Sequence, residues 1–387
     1  MQTGLLFQFV ADRAHELSAA TVDPSASEAF LHADPYLLAS AMQKAIRRGD
    51  TAIARRAGHQ LYTLDRARLW RRLAVVALED IGIGDVTVAA ELVAISTMPA
   101  ARRLLGGDIP ALDIALMRAC GAAKDRTGDH LASIVGREPI PNMDRVALRT
   151  TSPNALLAMI ASSDLPWERR LRAAVIASGR SEDSMHPGAA NIAAVFDVLH
   201  ELGTPPLLIL ASEAYAARQR DALPVLVPFA AVLHAPGCMD RVVAHDLPPT
   251  ELIGTLPSYS LDPVNTRIGK RAVELWLRSY LAKPQWLPRQ VAACLWNAES
   301  AACDRTLSWP LGDTIRARAH AADLSYRGLP VERHAELAQW IARERPALTS
   351  ARQAAFDSAI RQSPKPAEAI FQTTLPLHVR PGKNDPA

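Results

Sequence analysis

The sequence predicts an all-α, multi-helical protein, and three observations carry that prediction. Ala and Leu dominate the apolar residues, which make up 49% of the chain, while aromatics are only 5%. Alanine and leucine lose least on entering a helix, whereas strands favour β-branched and aromatic side chains. Apolar residues recur at i, i+3 and i+4 along most of the chain, which is the helical period. Turn signals separate those stretches: HPG at 186–188, TPP at 204–206, APG at 235–237 and LPP at 247–249.

Taken in order, the periodicity predicts helices at 4–19, 35–48, 50–63, 66–81, 86–97, 99–105, 111–123 and 127–135. GREPIPNMDRVALRTTSPN (136–154), rich in Pro, Asn, Ser and Thr, reads as a connection. Helices follow at 154–162, 166–178, 188–202, 205–219, 221–234, 239–245, 263–282, 287–303, 310–326, 330–344 and 348–361. From 363 onward there is little to bury, so a poorly ordered tail is expected. The expected organisation is a helical bundle over 1–140, a helical domain over 141–362 and a tail over 363–387. No fixed repeat period points to a solenoid.

Bulk chemistry bounds the function. A net charge of +3 on 387 residues only tunes solubility. Of the 43 basic residues six are Lys, and the arginine forks suit phosphates and carboxylates, although a GC-rich genome produces the same bias. Cys120, Cys238, Cys294 and Cys303 are scattered without a CxxC pair, so neither a disulfide framework nor a zinc site is expected. The N-terminus lacks the basic start and apolar core of a signal peptide. No apolar run approaches the roughly 18 residues a membrane span needs. A soluble cytoplasmic protein is the expectation, with no membrane partner, no metal and no cofactor.

One stretch stands apart. VVALEDIGIGD (75–85) places three carboxylates and two glycines after an apolar run. Helical spacing puts Asp80 on the face of Leu69, Leu73, Val76 and Ala77, and Glu79 on a neighbouring stripe with Arg68, Arg72 and Val75. Gly82 suits the residue that ends a helix and Asp85 suits the cap of the next. A buried carboxylate costs several kcal/mol without partners, so Asp80 must find donors.

ASAMQKAIRRGDTAIARRAGHQL (39–61), followed by RLWRRLAVVALEDIGIGDVTVAAELVAI (68–95), resembles the helical collar of the replication-associated recombination ATPases, bacterial relatives of clamp loaders. The matching positions are Lys44, Ile46, Arg47, Gly49 and Asp50, then Arg71, Arg72, Leu73, Glu79, Asp80, Gly82 and Asp85. The resemblance covers about residues 34–135. It implies a helical platform from DNA-handling machinery in which Glu79 and Asp80 lock a helix end. No GxxxxGK[ST] phosphate loop occurs, so the family's ATPase activity does not carry over.

The other informative stretch is LPSYSLDPVNTRIGKRAVELWLRSYL (256–281). Asp262-Pro263 reads as a helix start, and Asp262, Thr266 and Lys270 then share a stripe beside Arg267, Arg271, Glu274 and Arg278. Gly269 allows something to approach the helix closely. An ordinary cap and a solvated ion-paired face account for these residues. The sharper alternative is an anion site with a carboxylate able to stabilise a cationic sugar, as base excision requires. Tyr259, Trp276 and Trp286 are candidate stacking platforms, or else core. LHAPGCMDRVVAHDL (233–247) has the outline of a helix-hairpin-helix, but an ordinary helix turn is the simpler reading. No HExxH, GxSxG or CxxC occurs.

Two functions from different classes remain. The first is a protein of DNA replication, repair or genome defence that binds single- or double-stranded DNA through a basic platform without ATPase activity. Its expected contacts are Arg47, Arg48, Arg71, Arg72, Arg267, Lys270, Arg271 and Tyr259. The second is a DNA-modifying hydrolase, a base-excising glycosylase with Asp262, Asp80, Glu79 and Lys270 as candidate catalytic groups. A protein partner or homo-oligomer fits a third, purely structural role.

Overall fold

The computed structural model describes residues 2–19, 30, 33–138, 147–148, 150–180, 191–234, 238–280 and 285–362. The expected tail and the turns at 186–188 and 235–237 lie outside the described residues. The protein is all-α: the strands among the described residues are four short pieces. Among the described residues no helix is long and apolar enough to cross a membrane.

The first half runs α1 (Gln2–Ala19), α2 (Pro35–Arg47), α3 (Thr51–Leu64), α4 (Arg66–Val76), α5 (Val86–Thr97), α6 (Pro99–Leu104), α7 (Asp108–Gly121) and α8 (Thr127–Arg137). Aspartates start four of them. Asp34, Asp50, Asp65 and Asp85 accept backbone N–H bonds from Leu37, Ile53, Arg68 and Val88. Each such cap is worth about 1 kcal/mol. The second half holds α9 (Pro153–Ala161), α10 (Trp167–Ala177), α11 (Ile192–Glu201), α12 (Pro206–Ala216) and α13 (Leu223–Leu233). It continues with α14 (Arg267–Arg278), α15 (Pro288–Leu295), α16 (Pro310–Tyr326), α17 (His334–Arg343) and α18 (Arg345–Gln362).

Three apolar clusters hold these helices. The largest joins α2, α3, α4, α5 and α7 to Leu208, Ala211 and Tyr215 of α12, and reaches Tyr259, Ile268 and Phe356. It therefore draws residues from both sides of the connection near 140. A second cluster packs α8 to α11, α13 and α16, and a third packs α14, α15, α17 and α18.

Four elements differ from expectation. Residues 239–245 do not form a helix: β1 (Arg241–Ala244) pairs antiparallel with β4 (Arg305–Ser308), Arg241 opposite Ser308. Val242 and Val243 suit a strand, and the segment is too exposed to bury a helical face. The helix-hairpin-helix outline falls with it. A second hairpin pairs β2 (Leu252–Ile253) with β3 (Leu256–Pro257).

The helix expected from Asp262 starts at Arg267, capped by Thr266, whose Oγ1 accepts from Gly269 N. Asp262 instead closes the preceding turn by accepting from Val264 and Asn265 N–H groups. Gly269 does permit close approach, since a Cβ there would lie 2.3 Å from Asp262 O.

The helices expected at 66–81 and 287–303 both end early and widen into π turns, Ala77–Ile81 and Trp296–Ser300. Gly82, at φ +49°, ends the first, and a Cβ there would stand 2.7 Å from Asp125 O. Inserted π turns re-aim side chains and recur at functional sites.

Candidate functional site

The two π turns belong to one charged site, and Arg47 ties them together. From α2 its Nε donates to Asp80 at 2.6 Å, its Nη2 to Glu79 at 2.8 Å, and its Nη1 to Ser300 O at 2.7 Å. Arg47 is 2% exposed and Asp80 is sealed completely. Gln43 Nε2 donates to Asp80 at 2.8 Å, and Arg126 Nε lies 3.3 Å from the same carboxylate. Burial pulls the Arg47 guanidinium down, but Asp80 and Glu79 outweigh that and raise it, so it stays charged.

A second sealed pair lies alongside. Lys44 Nζ sits 2.8 Å from Asp262, which is fully buried and also takes Asn265 Nδ2 at 2.9 Å. Burial alone would raise the Asp262 carboxyl, but Lys44 holds it at about 2. Burial lowers the Lys44 ammonium although Asp262 opposes that shift, so both members of the pair are shifted down. The 2.8 Å contact with four donors on Asp262 makes the pair ionic at neutral pH.

Above these charges opens a cleft of about 430 Å³. Among its described lining are six cations, Lys44, Arg47, Arg68, Arg72, Arg137 and Arg327, against three carboxylates, Glu79, Asp129 and Asp323. Arg72 Nη1 donates to the neutral Gln43 amide at 3.3 Å. Arg137 and Arg327 both meet Asp323, at 2.7 and 3.1 Å, from side chains that remain partly exposed. Glu79 is the acid of this cleft that reaches solvent from the floor. Burial pushes its carboxyl up to about 7, the charges of Asp80 and Asp129 add to the rise, and Arg47 and Arg126 oppose it.

An adjoining cavity of about 380 Å³ shares Asp129, Ser133, Arg137, Trp296 and Asp323 with the cleft. Its charges are balanced: Lys124, Arg126, Arg137 and Arg316 face Asp125, Asp129, Asp246, Asp313 and Asp323. Trp296 lines both spaces, with the Arg126 guanidinium 5.2 Å from its ring centre.

The structure thus gathers Arg47, Arg72, Glu79 and Asp80 of the expected residues around one cleft. Asp262 lies sealed beneath Lys44. Arg267, Lys270 and Arg271 stand exposed on the outer face of α14 and line neither space. Arg71 is likewise exposed. Arg48 is buried, donating to Pro248 O and Glu299 O with its guanidinium 4.5 Å from the Tyr259 ring centre. Tyr259, Trp276 and Trp286 are all core, at 3%, 0% and 2% exposure, which removes them as stacking platforms.

Sequence reasoning missed Gln43, Arg126, Asp129, Arg137, Trp296, Asp323 and Arg327. A signal for several was present: Asp129, Ser133 and Arg137 are spaced i, i+4, i+8 on α8. Ser40, Gln43, Lys44 and Arg47 likewise make a polar stripe on otherwise apolar α2. Trp296 carried none, because its role depends on the π turn.

Among the described residues no group of three or more His, Cys, Asp or Glu is placed to hold a metal ion. Fold and site together define a multi-helical α protein built around a double, arginine-rich cleft. No family model, curated protein or solved structure matches the chain.

Proposed function

We propose that the protein binds DNA through the arginine-lined cleft and acts in replication, repair or genome defence without an ATPase motor. One observation carries the reading: Arg72, Arg137 and Arg327 stand partly exposed around a concave floor whose own charges are already paired, with an indole at its edge. Guanidinium forks match phosphate oxygens, and a cleft lined by one sign of charge concentrates the opposite sign. The collar resemblance over 34–135 supports the same reading, since the residues that carry it, Lys44, Arg47, Glu79 and Asp80, line or underlie the cleft. The test is fluorescence anisotropy with short labelled single- and double-stranded DNA over a salt series. Binding that weakens linearly in log salt is expected. No binding at low salt sinks the proposal.

Glu79 favours a second reading, a base-excising hydrolase. A carboxyl poised near neutrality in a basic cleft suits general acid–base work. Glu79 would take a proton from water as its oxygen bonds to C1′ of the deoxyribose. The glycosidic bond breaks, and the base leaves with the bonding electron pair. Incubation with natural and modified DNA, followed by alkali, reads out abasic sites as strand breaks. Binding without breaks leaves the first reading alone.

A further inference from the structure

We propose that the second cavity receives one nucleobase while the phosphate attached to it lies in the arginine cleft, so that the two spaces together hold a single nucleotide unit. The proposal rests on the DNA-binding reading for its preferred source of that unit, a nucleotide extruded from a duplex.

The division of charge argues for it. The cleft presents Arg72, bonded to a neutral amide, beside Arg137 and Arg327, which share the single carboxylate of Asp323, whereas the adjoining cavity pairs four cations with five carboxylates. An anion gains in the first and gains nothing in the second. A nucleotide has that same asymmetry, a charged phosphate joined to a neutral polar ring.

Size and walls agree. A cavity of about 380 Å³ lies within the ordinary range for small-ligand pockets. Its lining includes the partly exposed Trp296 indole, and a flat aromatic wall suits a planar base. Trp296 also borders the cleft, so a base against it keeps its phosphate within reach of Arg137, which lines both spaces.

Neutral polar side chains, His130 and Asn297, are among the lining. His130 Nδ1 is buried without a hydrogen-bond partner. Burial and the neighbouring Arg126 hold the His130 ring well below its ordinary pKa, so the imidazole is neutral and offers one donor and one acceptor. Asn297 adds a side-chain amide to the same lining. Donors and acceptors on neutral groups are what the edge of a base requires.

The experiment compares the full-length protein on matched duplex, the same duplex with one bulged nucleotide, and free deoxynucleoside monophosphates. Unstacking a paired base costs a few kcal/mol, so a prepaid bulge is expected to bind about ten- to a hundredfold tighter. Ala302→Trp and Ala298→Trp, which add bulk to the cavity lining, should abolish that preference while matched-duplex binding persists. Because Ala298 is exposed, its variant guards against misfolding.

If matched and bulged duplexes bind equally and no monophosphate binds, the base pocket is refuted while DNA binding stands. If monophosphates alone bind, and Ala302→Trp blocks them, the pocket stands and the DNA reading falls. If nothing binds, both fall.

Discussion

Two basic regions of this protein use the same side chains to different ends. On the outer face of α14, Arg267, Lys270 and Arg271 are exposed, and Arg271 meets Glu274 at 3.2 Å in an exposed i, i+3 pair. On the floor of the cleft, Arg47 and Lys44 are buried against Asp80 and Asp262 at 2.6 and 2.8 Å. Exposed pairs of the first kind contribute under about 1 kcal/mol. In buried pairs each partner is costly to remove, because the other is left as an uncompensated charge. Between these extremes lie Arg72, Arg137 and Arg327, partly exposed above the sealed floor. Burial, not residue type, separates charges that hold the fold from charges free to meet a ligand.

Five measurements break or sharpen this contrast. The largest effect is expected for Asp80→Ala, which strands Arg47 and Arg126; urea melts should show a loss of about 3 to 5 kcal/mol. A loss below about 1 kcal/mol would mean that the floor is no different from α14. Next comes Asp262. Its folded pKa, about 2, lies below the ordinary carboxyl value, so its contribution is complete above about pH 4 and disappears as pH falls towards 2. Stability curves of the native protein and Asp262→Asn should differ by about 2 to 3 kcal/mol at neutral pH and converge in acid. Parallel curves would refute the pairing.

Glu79 has the opposite sign. With its carboxyl raised from 4.5 to about 7, the folded state holds the proton more tightly. Stability should therefore fall as pH rises from the ordinary carboxyl range through neutrality, by about 3 kcal/mol. Glu79→Gln should flatten that decline in thermal melts across pH. For the cleft walls, the double variant Arg72→Ala with Arg327→Ala should fold normally, lose about tenfold or more in DNA affinity, and reduce the salt slope by about 2. An unchanged slope would place DNA elsewhere. Smallest of all, Lys270→Ala on α14 should alter stability by less than about 0.5 kcal/mol.

Much of the fold was legible. The α5 and α16 bounds match their predicted spans, because apolar periodicity and clear end signals coincide there. Asp80 was expected on the core face and in need of donors, and it has two, Gln43 and Arg47, with the Arg126 guanidinium within ion-pair range. The strand at Arg241–Ala244 was not legible, since its partner lies some sixty residues away in β4 and a helical pattern over so few residues is weak. Nor were the π turns, whose widened backbone leaves no mark in a 3.6-residue period.

The sequence by itself determined the helical class, most helix positions, the Asp85 cap and the burial of Asp80, because these depend on contacts a few residues apart. Only the tertiary structure decided that Arg47 would bridge two π turns some 200 residues apart in the chain. It also decided that Asp129, Arg137, Trp296 and Arg327 would share a cleft, and that Lys270 would not. Local periodicity says which face of a helix is wet, but which wet faces meet depends on how whole helices pack.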